Sequence, residues 1–233
     1  VRLFYERREI KAVSEIKDYI VLLHGLGRGP SVMAAMDKSL KAHGFDTHNI
    51  DYPSTELSIQ DLSQYLFNKI QPFYKSEGRL HFVCHSLGGL IARYMIMQHR
   101  PPNLGRMVML GPPNQGTDLV DFLRKYPLLK QFYRWRFGPA GQQMGTDTGA
   151  IHHRLAEVDY DVGVIAGDLS VDWLFSWLAI KGRDDGKVSI ENTKMANMKD
   201  HIVVHAAHPF ISSNTVARQQ ALHFLQHGIF SKS

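Results

Sequence analysis

"HFVCHSLGGLIARY", residues 81–94, reads as a buried strand, a sharp turn and a helix. The run "LHFVC" (80–84) is short and apolar, as a strand covered on both faces should be. From Leu87 the apolar residues Leu90, Ile91, Tyr94 and Met95 recur at helical spacing, which predicts a helix over 87–99. The turn between them lifts Ser86 above the end of the strand. It fits the pattern G-x-S-x-G except that Cys84 stands at the first glycine position. Residues two before and two after the serine pack closely. Gly88 and Gly89 supply room on the helix side, and cysteine is small enough for the strand side. The N–H groups that open the helix point towards any oxygen reacting at Ser86. Cys84 itself ends a strand, which predicts a buried, inert thiol rather than a nucleophile.

Working outward, strands and helices alternate. Strands are expected at "YIVLLH" (19–24), "DTHNIDYP" (46–53), "GRMVMLG" (105–111), "VGVIAG" (162–167) and "HIVVHA" (201–206). Helices are expected over 30–44, stopped by Gly44, and over 58–78, capped by Ser58 with Asp61 in the first turn. A closing helix spans 214–227, with Ala217, Ala221, Phe224 and Leu225 inward. This order implies an α/β fold: a mostly parallel sheet with helices on both faces, in one domain over 1–233. Residues 112–161 are too long for an ordinary loop and read as a cap or lid insertion.

A serine hydroxyl needs an imidazole to take its proton, and the imidazole needs a carboxylate to hold its tautomer. Ligands of parallel sheets sit at the carboxyl ends of the strands. Near those ends lie the acids Asp168, Asp184 and Asp185 and the histidines His201, His205 and His208. His208 lies in "HPFISSN", a loop suited to a mobile base. His205 falls at or near the strand end.

Four segments, "IVLLHGLGR", "HFVCHSLGGLIARY", "VMLGPPNQGTDLVD" and "DDGKVS…VHAAHPFIS", carry a resemblance over about 19–230. The chain resembles the lipase/esterase branch of the α/β-hydrolases, near small bacterial lipase-like and GPI inositol-deacylase-like serine hydrolases. The resemblance implies Ser86 as nucleophile, His208 as base and Asp185, within "DDGKVS", as acid. It implies an oxyanion hole from the backbone N–H groups of Leu26 and Leu87. The implied activity is cleavage of carboxylic esters through an acyl-enzyme. The same groups would serve an amidase, thioesterase or lipid deacylase, and a non-catalytic binding protein is the remaining alternative.

Composition narrows the rest. Of 233 residues, 44% are hydrophobic and 21% charged, enough for a sizeable core. One cysteine excludes an internal disulfide. The net charge of +5 is diffuse, and no nucleic-acid motif accompanies it. No zinc or dinucleotide signature is present, so no metal or cofactor is expected. The expected partner is an acyl-ester or lipid substrate, with oligomeric state open. In the insertion, Phe122, Tyr126, Phe132, Tyr133, Trp135 and Phe137 alternate with Arg124, Lys125, Lys130, Arg134 and Arg136. This fits a helix with an aromatic core face and a solvated basic face, or a lid that meets anionic lipid. "WLFSWLA" (173–179) fits an acyl pocket, a lipid contact or core. No apolar run is long enough to span a bilayer. The chain starts at Val1 rather than Met, so a removed leader or a truncation is expected, and the compartment, cytoplasmic or cell envelope, is left open.

Overall fold

The apolar runs assemble into one six-stranded sheet in a computed structural model, which describes residues 17–171 and 177–232. The strands are β1 (Tyr19–Leu23), β2 (Asp46–Ile50), β3 (Leu80–His85), β4 (Leu104–Leu110), β5 (Val162–Gly167) and β6 (Asp200–Val204). They lie in the order β2-β1-β3-β4-β5-β6, and every pairing is parallel. Side chains of a strand alternate between faces. In β1, Val21 and Leu23 join the core beneath α2 (Ile59–Ile70) and α3 (Leu87–Gln98). Ile20 and Leu22 join the opposite core, which includes Met36 and Leu40 of α1 (Ala34–Ala42). Ala217, Ala221 and Phe224, from the closing helix Thr215–His227, complete that second core.

Local signals set the helix ends. Ser58 accepts the N–H of Asp61 at 3.2 Å, and Asn214 accepts that of Ala217 at 3.0 Å. Gly228 ends the closing helix with φ 77°. β2 stops at Ile50, three residues short of Pro53.

The chain passes from β1 to the edge strand β2 and then returns to β3 on the other side of β1. The strand order therefore reverses between β1 and β3. The loops leaving their carboxyl ends open a crevice there.

Between β4 and β5 run α4 (Asp118–Lys125) and α5 (Pro127–Gln142). Helix α5 breaks at Gly138, whose φ is 59° and ψ −161°. A Cβ at this position would lie 1.7 Å from the Thr55 carbonyl oxygen, so both the backbone angle and the close approach demand glycine. Past the break the chain is pinned to the start of α2. Ala140 N–H donates to the Leu57 carbonyl at 3.1 Å, and Ile59 N–H donates to Gln143 Oε1 at 2.7 Å. Before the break, α5 buries Tyr133 and packs Phe137 against the core. Leu128, Trp135 and Phe132 face outward, at 86%, 76% and 57% exposure. Of the two readings of this helix, that of an aromatic core face with a solvated basic face is corrected: aromatic residues occupy both faces.

A short α6 (Ile190–Thr193) follows β5, and the closing helix is α7. Residues 173–176 of "WLFSWLA" lie outside the described residues; Trp177 and Leu178 are exposed. Among the described residues, no helix is long and apolar enough to cross a membrane.

Candidate active site

Ser86 occupies the turn between β3 and α3 with φ 53° and ψ −120°. Side-chain-bearing residues rarely adopt such angles, so the turn stores strain that its surroundings must hold. Its backbone is fixed on both sides: Ser86 N–H donates to Leu110 at 2.9 Å, and Gly89 N–H donates to Ser86 at 3.0 Å. Space around it is scarce. A Cβ on Gly25 would lie 3.2 Å from the Ser86 Cβ, and one on Gly88 would lie 2.8 Å from Leu23 Cβ. Cys84 is fully buried in the core, and burial pushes its thiol pKa far up. It is a packing residue between Leu23 and Met109 on the flanking strands.

The loop after β1 carries Leu26, which lines the same cavity as Ser86. Gly27 has φ 63°, and its N–H donates to Ser54 Oγ at 3.0 Å. The Tyr52 hydroxyl donates to the His24 carbonyl, and the Tyr52 and His24 rings stack 4.0 Å apart. The polar groups behind Leu26 are thus satisfied from the β2–α2 connection. The Leu87 N–H opens α3 directly after Ser86.

Asp185 and His208 are joined. His208 Nδ1–H donates to Asp185 Oδ2 at 2.7 Å, since a carboxylate can only accept. Asp185 Oδ1 accepts the N–H groups of Lys187 and Val188 at 3.0 and 2.9 Å. The His208 N–H donates to the Asp185 carbonyl at 2.8 Å. Both residues are buried, and the bond at Nδ1 leaves Nε2 as the nitrogen able to accept a proton. Gly111, with φ 55°, lies against the pair; a Cβ there would come within 2.9 Å of Asp185 Oδ2.

The rival residues are engaged elsewhere. His205 Nδ1 bonds Asp168 Oδ1 at 3.0 Å, Asp168 also binds Arg183 at 2.5 Å, and the His205 side chain is 77% exposed. Asp184 Oδ1 accepts the Gly186 N–H at 2.7 Å within its turn. His201 Nε2 bonds Thr193 Oγ1 at 3.0 Å.

Ser86, Leu26 and His208 line one cavity of about 440 Å³. Its lining is largely apolar, with Leu119, Val120, Leu123, Tyr133, Phe137 and Met144 from the region between β4 and β5. Arg28, Arg136 and Lys187 line it as well.

His85 was not legible as a site residue. It is buried in the same wall, and its Nε2–H donates to the His208 backbone carbonyl at 2.9 Å. Burial, with the nearby His208 adding to it, drives its pKa well below the ordinary histidine value, so the ring is neutral. Only the tertiary approach of two segments 123 residues apart reveals this bond. Among the described residues, no group of three potential metal-binding side chains converges.

The model of the alpha/beta hydrolase family matches residues 20–215. The chain belongs to that family. No curated protein matches it in sequence. Among solved structures it resembles the mature lipase BlEst2 of Bacillus licheniformis, with a TM-score of 0.75 at 20% identity, over 92% of this chain and 93% of that one. It resembles a metagenomic carboxyl esterase, MGS0156, at TM-score 0.65 and 14% identity, over 85% and 67%. It also resembles Aspergillus fumigatus lipase B at TM-score 0.63 and 15% identity, over 91% and 53%. At these identities the likeness is one of fold. This α/β-hydrolase carries its candidate site where the fold's strand order reverses, at the ends of β1 and β3.

Proposed function

We propose that this α/β-hydrolase is a serine hydrolase of carboxylic esters acting through an acyl-enzyme. The observation that carries the reading is the 2.7 Å bond from His208 to Asp185 beside a cavity shared with the strained Ser86. In this reading Ser86 Oγ attacks the ester carbonyl carbon as its proton passes to His208 Nε2. Asp185 holds Nδ1–H and stabilises the imidazolium. The N–H groups of Leu26 and Leu87 receive the negative charge on the carbonyl oxygen, each such donor being worth ~3–4 kcal/mol. His208 then protonates the leaving alcohol. Water, deprotonated by the same imidazole, releases the acid and restores Ser86.

The test is hydrolysis of p-nitrophenyl esters of graded chain length by wild type and Ser86→Ala, with fluorophosphonate labelling. Loss of activity in Ser86→Ala and labelling at Ser86 are expected. Equal activity of the two proteins, or labelling elsewhere, overturns the mechanism. A parallel series of thioesters and amides assigns the acyl class.

A lipid surface is the setting we propose for the substrate, because the outer face of α5 exposes Leu128, Phe132 and Trp135 next to Lys130 and Arg134. Leu128→Ser/Trp135→Ser should weaken binding to vesicles containing phosphatidylserine by about tenfold or more, given the apolar area removed. Unchanged sedimentation with those vesicles would reject the contact.

A further inference from the structure

The cavity combines a largely apolar lining with three cationic residues, and among the described residues no aspartate or glutamate lines it. Its three cations come from separate parts of the chain: Arg28 from the loop after β1, Arg136 from α5 and Lys187 from the loop after Asp185. All three residues are exposed; the backbones of Arg28 and Lys187 are anchored, and the Arg136 side chain rests on its neighbours. Arg28 N–H donates to the Gly25 carbonyl at 3.3 Å. The Arg136 guanidinium lies 5.1 Å from the Phe137 ring centre, and its Nη1 is 3.3 Å from where a Cβ on Gly27 would sit. Lys187 is held at both ends of its backbone unit: its N–H donates to Asp185, and its carbonyl accepts the Thr117 hydroxyl at 2.5 Å.

Elsewhere cations are commonly matched with carboxylates, as in Arg79–Asp18, Arg100–Asp159, Arg106–Asp161 and Arg124–Asp147. Among the described residues, no carboxylate lies within ion-pair distance of Arg28, Arg136 or Lys187. Unpaired cations also occur on open surface, at Arg134 for example. The distinguishing feature of these three is convergence on one partly enclosed cavity. Like charges that line one cavity repel one another, and a concave surface focuses their field into the opening. An anion placed there relieves the repulsion.

We propose that the site selects acyl esters that carry an anionic group, of the phosphate or carboxylate class, close to the scissile bond. The acyl chain enters the apolar interior, and Arg28, Arg136 and Lys187 hold the anion at the mouth. This rests on the hydrolase reading for the bond that is cleaved, but not for the binding of the anion.

The experiment compares 1-octanoylglycerol 3-phosphate with 1-octanoylglycerol as monomers below their aggregation concentrations. Wild type should favour the phosphate ester by about tenfold or more in kcat/KM at low salt, and the preference should shrink as salt screens the charges. The triple variant Arg28→Gln/Arg136→Gln/Lys187→Gln should bring the ratio close to one, mainly through KM. Lys38→Gln, an exposed cation of α1 outside the cavity lining, should retain the wild-type ratio. A ratio near one in wild type, or one untouched by the triple variant, overturns the proposal. So does a preference that appears only when the esters are embedded in phosphatidylcholine vesicles, since recognition would then belong to the lipid surface. A separate arm titrates octyl phosphate and octyl glucoside into Ser86→Ala by calorimetry. If neither ester is cleaved but octyl phosphate binds selectively, and the triple variant abolishes that binding, the hydrolase reading fails and the anion site stands. If octyl phosphate does not bind selectively, the anion site fails whatever the hydrolysis result.

Discussion

His85 Nε2–H donates to the backbone carbonyl of His208, so the residue before the candidate nucleophile holds the segment bearing the candidate base. The bond is buried. His85→Leu leaves that carbonyl unpaired and frees the His208 loop. The expected result is a fall in kcat of roughly 10²-fold, the scale of a 1 Å misplacement. KM should change little. His85→Gln, which keeps an N–H donor, should recover part of the rate. Full activity in His85→Leu, or no difference between the two variants, would reject a positioning role.

The positive φ of Ser86 separates two substitutions at this position. Alanine keeps the strained angle, whereas glycine adopts it freely. Ser86→Gly should therefore unfold at higher denaturant than Ser86→Ala, by about 1 kcal/mol after glycine's extra chain entropy is counted. Chemical denaturation of the two proteins side by side measures it. An alanine variant as stable as the glycine variant would mean the turn carries no strain.

Cys84 gives a test of the altered motif. The thiol is fully buried, and burial disfavours its reactive thiolate. Iodoacetamide should leave the folded protein unlabelled and label it in denaturant. Cys84→Gly should retain esterase activity while losing about 1–2 kcal/mol of stability, through backbone entropy and lost packing. Loss of activity in a folded Cys84→Ala would move the chemistry from Ser86 to the cysteine.

At the far end of β3, His81 couples stability to pH. It is buried, its Nδ1 accepts the Arg106 N–H at 2.8 Å, and its Nε2 faces Asp18 at 3.3 Å. Burial lowers its pKa from 6.5 to about 4; the Asp18 carboxylate opposes this, and the charges of Arg79 and Arg106 add to it. Between these values the unfolded chain binds more protons than the folded one. Stability should therefore fall as pH drops from about 6.5 to about 4, by roughly 3 kcal/mol, and this contribution should level off below. His81→Gln should flatten that portion of the profile. A wild-type profile already flat across the window would contradict the assignment.

The sheet is legible in the sequence because most strands contain a short apolar run punctuated by glycine, proline or polar residues; the edge strand β2, "DTHNI", is the polar exception. The acid and base are harder, since His205 and His208 flank one strand end and Asp168 and Asp185 follow another. In the folded chain each acid takes its own histidine: Asp168 with His205 at the surface, Asp185 with His208 inside. Sequence spacing contains no burial, and burial is what distinguishes the two pairs. The three cations of the cavity are illegible for a related reason, since positions 28, 136 and 187 lie far apart along the chain before folding. The aromatic residues of α5 are visible one by one, but composition does not say which of them point outward.

The break at Gly138 divides α5 into an outer arm and a turn fastened to α2. The two parts can accordingly belong to different cooperative units. Amide exchange in the outer arm should proceed by local opening, far faster than in β3 or β4. An arm that opens in this way would uncover Tyr133 and Phe137, which line the cavity, while the sheet beneath keeps its shape.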